Sequence, residues 1–244
     1  MHAVTYLLYE GASVYTFDVD SRQGTFSRYV HNRQQSAKSK SLPMMTHRRV
    51  QTTGVPSHAT LLRELVDDVP SDAVVVIDTP GSDTVLSRQA HALADVLVTP
   101  INDSFVDLDL LVHVEGEGSE VRLRPSCYAD MVWEQRKQKL AQTGTPLSWI
   151  VIRNRLGHLL TKNKMQVDLI LNELAKRLGF KLVAGFGERV IFRELFLKGL
   201  TLLDLEKMGA ELTLSHTSAR QELRSLMQVV LEKRPGLAQT GRVA

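Results

Sequence analysis

The sequence is poor in the residues that hold a fold together covalently or through metals. It has a single cysteine, Cys127, which excludes an internal disulfide and a cysteine-rich metal site and is typical of a reducing cytoplasm. The eight histidines are scattered, without an HExxH or similar ligand spacing. No apolar run approaches the roughly 20 residues that span a bilayer, and the apolar AVTYLLY near the start is too short for an export signal. We therefore expect a cytoplasmic protein without a membrane anchor.

An excess of charge of one sign is also missing. The 30 Lys and Arg residues nearly balance the 27 Asp and Glu residues, although the sequence pI near 9.0 allows a local basic face for phosphate backbones. With 43% hydrophobic residues in 244, the chain is long enough to bury a full core. We predict one α/β domain over residues 1–234 and a flexible tail over residues 235–244.

Polar side chains follow several short apolar runs of the sequence. Asp18 and Asp20 follow SVYTF, Asp78 follows AVVVI and Asn154 follows WIVIR. Such runs, separated by helix-length segments, predict parallel strands, and ligands bind parallel sheets at the carboxyl ends of the strands. Carboxylates at that edge suit a hydrated Mg²⁺ ion and a water nucleophile, so the pattern indicates a nucleotide-hydrolysing site.

The DTPG segment at residues 78–81 is the clearest chemical element. After a buried strand, Asp78 is suited to a magnesium-bound water, and the loop of Thr79, Pro80 and Gly81 is suited to sensing a terminal phosphate. For an isolated DTPG, an Asx turn at the strand end is an equally good interpretation. The alternating Asp18 and Asp20 favour the switch site, because one carboxylate can position an attacking water, while helix capping and turn formation stay open for them.

The strand that ends at WIVIR contributes two weaker candidates. Asn154 is placed to hydrogen-bond an adenine edge, although Asn at a strand exit usually satisfies local backbone. Arg155 is placed to meet nucleotide, a partner or solvent. Neither residue indicates a nucleotide site by itself, and only their combination with the carboxylates does.

Other segments predict the remaining architecture. We expect a helix over residues 1–10, a polar surface insertion over 33–58, and an exposed helix over 127–142 with Trp133 on its buried side. A helix over 164–178 is indicated by apolar residues at helical spacing, and a last helix is indicated over about 218–233.

Several segments together make the sequence resemble the ParA/MinD class of deviant Walker ATPases and, within it, the division-plane-positioning MipZ family. They are LLYEGASVYTFDVDSRQ, VVVIDTPGSD, TPINDSFVDLDLL, VWEQRKQ, WIVIRNRL, LAKRLGF and RVIFRELFLKGLTLLDL. NDSFVDLD and RELFLKGLTLLDL discriminate best, because DTPG alone belongs to many nucleotide switches. The resemblance covers nearly the whole chain and implies a P-loop NTPase-like α/β fold, with a mostly parallel sheet flanked by helices.

The resemblance also implies roles for individual residues. By position, Asp20 resembles the hydrolytic carboxylate and Asp78 the Walker B residue, which acts on Mg²⁺ through water. Asn154 resembles an adenine-side residue, Arg155 is a nucleotide-binding candidate and Asp18 is a switch partner. The implied cofactors are ATP and Mg²⁺.

The implied function is an ATP-dependent dimerisation switch in bacterial cell division. Such a homodimer binds DNA nonspecifically, interacts with a centromere-binding ParB-like protein, and inhibits assembly of an FtsZ-like division ring near the poles, so it associates with the nucleoid and the poles. A basic dimer face would contact phosphates, with strong salt dependence and little sequence preference. Our DNA-binding candidates are Arg189, Arg193, Lys198, Arg220 and Arg224, and for each an ordinary surface charge is an equally good interpretation.

The sequence departs from this family at one place. The 244 residues contain neither a GxxxxGKS/T loop nor the family's glycine-rich loop with two lysines. Without such a loop, no backbone N–H groups cradle phosphates and no lysine neutralises transition-state charge, so we expect this chain to hydrolyse ATP poorly or not at all. Because Met1 falls inside the family's first helix, we interpret the start as downstream of the first strand and loop, with an intact ATPase encoded upstream.

Two alternatives to the ATPase were left open by the sequence. One is a degenerate, non-hydrolytic protein of the same fold that binds DNA or a partner, although it would have no chemical reason to keep Asp20 and Asp78. The other is a MinD-like membrane switch, which needs a basic amphipathic anchor, whereas residues 235–244 are few and nearly without apolar side chains.

Overall fold

The structure is a computed structural model that describes residues 1–20, 23–50, 60–102, 104–115, 122–157 and 162–232. The chain forms two compact units. The first is built from residues 1–90 together with those after 188, and the second from residues 91–188. The single domain over residues 1–234 stays a prediction, and the tail at 235–244 lies outside the described residues.

Helices and strands alternate along most of the chain, as in an α/β fold. In chain order they are α1 (His2–Tyr9), β1 (Val14–Asp18), α2 (Thr25–Ala37), β2 (Thr46–Arg49), α3 (Leu61–Asp67), β3 (Val74–Asp78), α4 (Val85–Leu93), β4 (Val96–Asn102), α5 (Phe105–Leu108), β5 (Val112–Glu115), β6 (Arg122–Pro125), α6 (Cys127–Thr143), β7 (Ser148–Asn154), α7 (Lys162–Leu178), β8 (Lys181–Val183), α8 (Val190–Leu197), α9 (Leu202–Lys207) and α10 (Leu214–Glu232). The predicted helices at both ends of the chain and the predicted strands before Asp18, Asp78 and Asn154 are confirmed.

The first unit contains a three-stranded parallel sheet in the order β2-β1-β3. β1 is the central strand, and four of its five residues are buried. Its apolar run is therefore explained by neighbours on both sides. The predicted α/β class with parallel strands is confirmed.

The stretch from Arg33 to His58 is not the surface insertion that the sequence led us to predict. Residues 33–37 complete α2, and residues 46–49 form β2, which pairs in parallel with β1. Residues 51–59 lie outside the described residues. The strand β2 has the sequence THRR, and three of its four residues are exposed. Backbone hydrogen bonds rather than buried side chains hold such an edge strand, so a hydrophobic pattern cannot reveal it.

A buried ion pair joins two helices of the first unit. Nη1 and Nη2 of Arg33 in α2 donate to the two carboxylate oxygens of Asp204 in α9 at 2.8 and 2.9 Å, and both side chains are fully buried. The Arg33 guanidinium also donates to the carbonyl oxygens of Pro43 and Gly199. These bonds therefore tie α2 to the segment that directly follows it and to the start of α9, far along the chain.

Asp204 has further partners that make the network complete. The hydroxyl of Tyr9 in α1 donates to Oδ1 at 2.8 Å, while the backbone N–H and the hydroxyl of Thr201 donate to Oδ2 in a capping box at the start of α9. Burial by itself raises the pKa of Asp204, but the hydrogen bonds and the charge of Arg33 outweigh it. The pKa of Asp204 is therefore below its ordinary value.

The second unit has a parallel sheet in the order β4-β7-β8 and a separate antiparallel pair, β5-β6. Its core includes Trp149 of β7 and the apolar side of α7, where Val167, Leu171 and Leu174 are buried. The predicted apolar side of α7 is therefore confirmed. In the part of the chain that the structure describes, no helix is both long and apolar enough to cross a membrane.

The prediction that Trp133 lies on the buried side of α6 is wrong. The Trp133 residue is 53% exposed, and the Arg136 guanidinium lies over its ring at 5.9 Å from the ring centre. The buried side of α6 includes two polar residues, Gln135 and Lys139. The ammonium group of Lys139 is satisfied by the Leu93 carbonyl and a carboxylate. Counting only apolar residues therefore assigned the wrong side of this helix.

Candidate functional site

The carboxyl ends of two neighbouring strands bring Asp18 and Asp78 together. Asp18 ends β1, Asp78 ends β3, and the two residues are partners in the register of the strands. The backbone N–H of Val19 donates to the carbonyl oxygen of Asp78 at 2.9 Å, which extends the pairing by one residue. Asp20 is close enough for its charge to act on Asp78. The three carboxylates predicted at this edge are therefore neighbours.

Charges of both signs act on the Asp78 carboxyl group. Loss of hydration is the largest cause that raises its pKa, although the residue keeps exposed surface. The negative charges of Asp18 and Asp20 raise it further, while the Met1 ammonium group opposes the rise. Burial in turn lowers the pKa of that ammonium group. A cation would relieve the repulsion among the three carboxylates.

Asp18 is fully buried, yet in the described part of the chain only its Oδ2 has hydrogen-bond donors. Oδ2 accepts from the backbone N–H of Ser27 at 2.9 Å and from the Ser27 hydroxyl at 2.6 Å. Oδ1 has no hydrogen-bond partner among the residues that the structure describes. Because a buried polar oxygen without a donor is costly, this atom is suited to a cation or to water bound to a cation.

These carboxylates fit a magnesium site of the hydrated kind. Within the described ranges, no three His, Cys, Asp or Glu side chains are arranged to enclose a metal ion. Mg²⁺ commonly keeps several waters and takes one or two carboxylates together with substrate phosphates. The unpartnered Oδ1 of Asp18 and the crowded Asp78 carboxyl group match that requirement.

Behind Asp18 lies a polar chain that the sequence did not reveal. The Ser27 hydroxyl in α2 is 3.0 Å from Nε2 of His47 in β2, and Nδ1 of His47 is 2.9 Å from the hydroxyl of Thr16 in β1. Burial is the largest cause that lowers the pKa of His47, and the charge of Asp18 opposes it. These residues are far apart in sequence and belong to no motif, so only the pairing of β2 with β1 could have indicated them.

Asp20 forms a local turn at the start of α2. Its Oδ1 accepts from the backbone N–H of Gln23 at 3.4 Å, and its carbonyl oxygen accepts from the N–H of Gly24 at 2.9 Å. Gly24 has a φ of 56°, and its position for a Cβ would be 2.9 Å from the Arg49 guanidinium. Asp20 therefore forms the turn that was one of the two interpretations of its place in the sequence. Its hydrolytic role stays a prediction.

The loop after β3 keeps its predicted place beside Asp78. Thr79 and Pro80 are half-buried, whereas Gly81 is exposed. A Cβ at Gly81 would meet no atom within 4 Å, so packing does not require glycine there. The switch role of Thr79, Pro80 and Gly81 stays a prediction.

Asn154 and Arg155 belong to the second unit, where they lie at the carboxyl end of β7. Asn154 is half-buried and is the register partner of Asn102 at the end of β4. Arg155 has a φ of 53°, in the left-handed region that residues other than glycine rarely adopt. The backbone is fixed on both sides of this kink, because Phe186 donates to the Arg153 carbonyl at 2.9 Å and accepts from the N–H of Leu156 at 2.9 Å. The carboxyl end of this sheet therefore holds Asn154 on a rigid turn.

The five DNA-binding candidates differ in their surroundings. The Arg189 guanidinium donates to both carboxylate oxygens of Glu222 at 2.6 and 2.8 Å, and Arg220 pairs with Glu206. Arg193, Lys198 and Arg224 are exposed and form no ion pair with another described residue. The last three are therefore better placed than the first two to contact an external phosphate.

Comparison with known proteins identifies the family and the fold. The family model described as ATPase MipZ matches residues 1–232. A search of curated proteins gave no significant match. The chain is similar in structure to MinD in a MinC:MinD cell division complex from Aquifex aeolicus, with a TM-score of 0.52, 13% identity, and coverage of 93% of this chain and 88% of that chain.

A second solved structure shows the same fold. A plasmid partition protein from Borrelia burgdorferi has a TM-score of 0.54 and 13% identity, with 93% of this chain and 90% of that chain covered. At such identities the likeness establishes the fold of the MinD and partition ATPases, whereas the family model establishes the family. The chain belongs to the MipZ family of ATPases, which act in cell division.

Proposed function

We propose that this protein is an ATP-dependent dimerisation switch that positions the bacterial division plane. The observation that carries the proposal is the convergence of Asp18, Asp20 and Asp78 at the carboxyl ends of β1 and β3 in a chain of the MipZ family. Three negative charges at one place destabilise each other unless a cation joins them. A magnesium nucleotide supplies that cation together with phosphates that the switch loop can sense.

Each residue of the site has a distinct task in this proposal. Asp78 holds the hydration water of Mg²⁺, Asp18 presents its free Oδ1 to the same ion or its water, and Asp20 orients the attacking water. Thr79, Pro80 and Gly81 form the loop that responds to the terminal phosphate. Asn154 and Arg155 belong to the second unit, and their role on the adenine side stays what the family resemblance implies. Bound Mg²⁺ would neutralise charge that develops on the transferring phosphate.

We also propose nonspecific DNA binding through the exposed cations. Arg193, Lys198 and Arg224 are supported by their exposure, and Arg189 and Arg220 are secondary because carboxylates of the same chain already engage them. On DNA, the dimer would meet a centromere-binding ParB-like protein and keep an FtsZ-like division-ring protein from assembling near the poles. Its place in the cell would be the cytoplasm, on the nucleoid and at the poles.

A second function is favoured by one specific observation. Arg193 and Arg224 are exposed and form no ion pair with another described residue, so they can contact phosphates without a nucleotide. A non-hydrolytic protein that binds DNA or a partner would need no carboxylates at the strand ends. The exposed α8 and α10 cations would then act without a nucleotide switch.

ATP turnover by the protein isolated from its own cells, with the intact mass measured on the same sample, separates the two functions. Turnover by a product that carries a glycine-rich, double-lysine loop supports the switch, and Asp20→Ala should then abolish turnover while nucleotide binding persists. Turnover that is unchanged in Asp20→Ala would remove the hydrolytic role of that residue. A product without turnover and without ATP-dependent dimers would favour the non-hydrolytic function.

A further inference from the structure

We propose that His47, acting through Ser27, is a positioning residue for the Asp18 carboxylate of the magnesium–nucleotide site. The inference rests on the proposed function, because it assigns a task to groups behind that site. His47 would not contact nucleotide or metal. Its task is to fix the hydrogen of the Ser27 hydroxyl on Oδ2 of Asp18, so that Oδ1 is the oxygen left for the cation or its water.

The direction of each hydrogen bond follows from the chemistry of the groups. An ionised carboxylate can only accept, so the Ser27 hydroxyl must donate to Oδ2 of Asp18 over 2.6 Å. The hydroxyl hydrogen is then used, and Nε2 of His47, 3.0 Å from the Ser27 oxygen, must donate to it. In a neutral ring Nδ1 is therefore the acceptor. The Thr16 hydroxyl lies 2.9 Å from Nδ1 and also 3.3 Å from the carbonyl oxygen of Thr46, to which it can donate its one hydrogen instead. The two bonds from His47 through Ser27 both run toward Asp18.

The imidazole ring is held in place by packing as well as by these bonds. The ring of Phe26, next to Ser27 in α2, meets His47 edge-on with 5.5 Å between ring centres and 78° between ring planes. Burial favours the neutral ring that the hydrogen-bond directions require. A ring fixed in one tautomer is able to fix the hydroxyl that it donates to.

A purely structural role does not account for the asymmetry at Asp18. A buried aspartate that only stabilises the fold would have donors on both oxygens, as Asp204 does. At Asp18, Ser27 supplies two donors to Oδ2, while Oδ1 has none among the described residues. Both Ser27 donors therefore bond to Oδ2 of Asp18, and Oδ1 is left for another partner. Groups behind a metal ligand commonly act in this way.

The test measures the His47 tautomer and magnesium affinity in the same protein. Imidazole ¹⁵N shifts at neutral pH should show His47 as the neutral Nε2–H tautomer. The affinity of Mg²⁺ should be measured with ADP as the nucleotide, so that hydrolysis does not interfere. Ser27→Ala removes the hydroxyl but keeps the backbone N–H, and it should weaken Mg²⁺-dependent ADP binding by roughly tenfold. ADP binding without Mg²⁺ should stay within about twofold, since Asp18 acts only through the cation.

Two conservative variants guard against loss of folding. Ser27→Thr keeps the hydroxyl and should restore most of the Mg²⁺ affinity, and His47→Gln keeps an N–H donor and should be less harmful than His47→Ala. His31→Gln is the matched control, because His31 is exposed on α2. It should leave both measurements unchanged.

The possible results decide separately on the site and on His47. An Nδ1–H tautomer, or equal Mg²⁺ affinity in the wild type and Ser27→Ala, would overturn the positioning role while leaving the proposed function in place. Failure of the wild type to bind Mg²⁺ and ADP at all would overturn the proposed nucleotide site for this chain. The positioning role would then fall with the site, because Asp18 would have no cation to hold.

Discussion

Replacing Asp204 by Asn should destabilise the first unit strongly, because the change leaves Arg33 charged and unpaired in the core. Both side chains are fully buried, and two hydrogen bonds of 2.8 and 2.9 Å join them. Arg33 cannot become neutral by losing its proton. Burial lowers the pKa of Arg33, but the hydrogen bonds and charge of its partners raise it by more, to above its already high ordinary value. Breaking a buried ion pair on one side costs about 3–5 kcal/mol. That loss is a large part of the roughly 5–15 kcal/mol that stabilises a typical domain.

The assay must follow the unit in which the change is made. Both tryptophans of the chain, Trp133 and Trp149, belong to the second unit, so their fluorescence reports on that unit alone. Urea unfolding followed by circular dichroism, together with native-state hydrogen exchange of peptides from α2 and α9, reports on the first. The control is Asp83→Asn, which breaks an ion pair with Arg88 in the first unit whose side chains are about half exposed. It should cost no more than about 0.5 kcal/mol.

A double variant separates the charge from the packing. Arg33→Met with Asp204→Leu replaces both partners by apolar side chains of similar size and should be clearly more stable than Asp204→Asn alone. The reasoning is refuted if Asp204→Asn costs less than about 1 kcal/mol, or if the two single changes add without coupling.

Three further predictions concern a glycine, the pH dependence of stability and DNA retention. Gly199→Ala should destabilise by more than about 2 kcal/mol in urea unfolding, because φ is 61° and the new Cβ would lie 2.0 Å from the backbone nitrogen of Arg33. The control Gly209→Ala, with φ of 69° and open space, should cost about 1 kcal/mol, and equal losses would contradict the clash. The pKa of Asp204 is lowered in the folded protein. The stability that this carboxylate contributes is therefore present above its unfolded pKa of ~3.9 and is lost as pH falls through the folded pKa. In Asp204→Asn, the slope of Tm against pH below about 4 should therefore flatten. Arg193→Glu with Arg224→Glu should weaken retention on DNA at low salt and reduce the salt dependence by roughly one unit per lost phosphate contact. In a product that carries the glycine-rich loop, the two changes should not slow hydrolysis at saturating ATP. Retention equal to that of Arg177→Glu at all salt concentrations would dismiss these residues.

The sequence predicted those parts of the fold whose cause is local. β1, β3 and β7 were predicted because a central parallel strand buries both faces and so consists of consecutive apolar residues, and α7 was predicted from its apolar spacing. β2 was missed because an edge strand needs only backbone partners. Trp133 was misplaced because two buried positions of α6 are polar, Gln135 and Lys139, and the Lys139 ammonium group is satisfied by the Leu93 carbonyl and the Asp95 carboxylate.

The candidate site, too, could be predicted from the sequence only in part. Asp18 and Asp78 could be predicted as neighbours, since strand ends in a parallel sheet share one edge. Ser27 and His47 could not, because their contact depends on β2 pairing beside β1 and on α2 crossing that pair. Arg189 and Arg220 were indistinguishable from Arg193 in sequence, since their carboxylate partners Glu222 and Glu206 are identified only by the packing of α8, α9 and α10.

The buried contact between Arg33 and Asp204 also has a consequence for the order of synthesis. The first unit is discontinuous, so during translation α2 emerges long before the segment that carries Asp204, the buried counter-charge of Arg33. The second unit is continuous between these segments and is able to fold first. We infer that α2 stays unprotected on the ribosome until residues beyond Asp204 have emerged, which protease cleavage of stalled nascent chains would show; early protection of α2 would contradict it. The carboxylate site beside Ser27 would then form only in the last stage of synthesis.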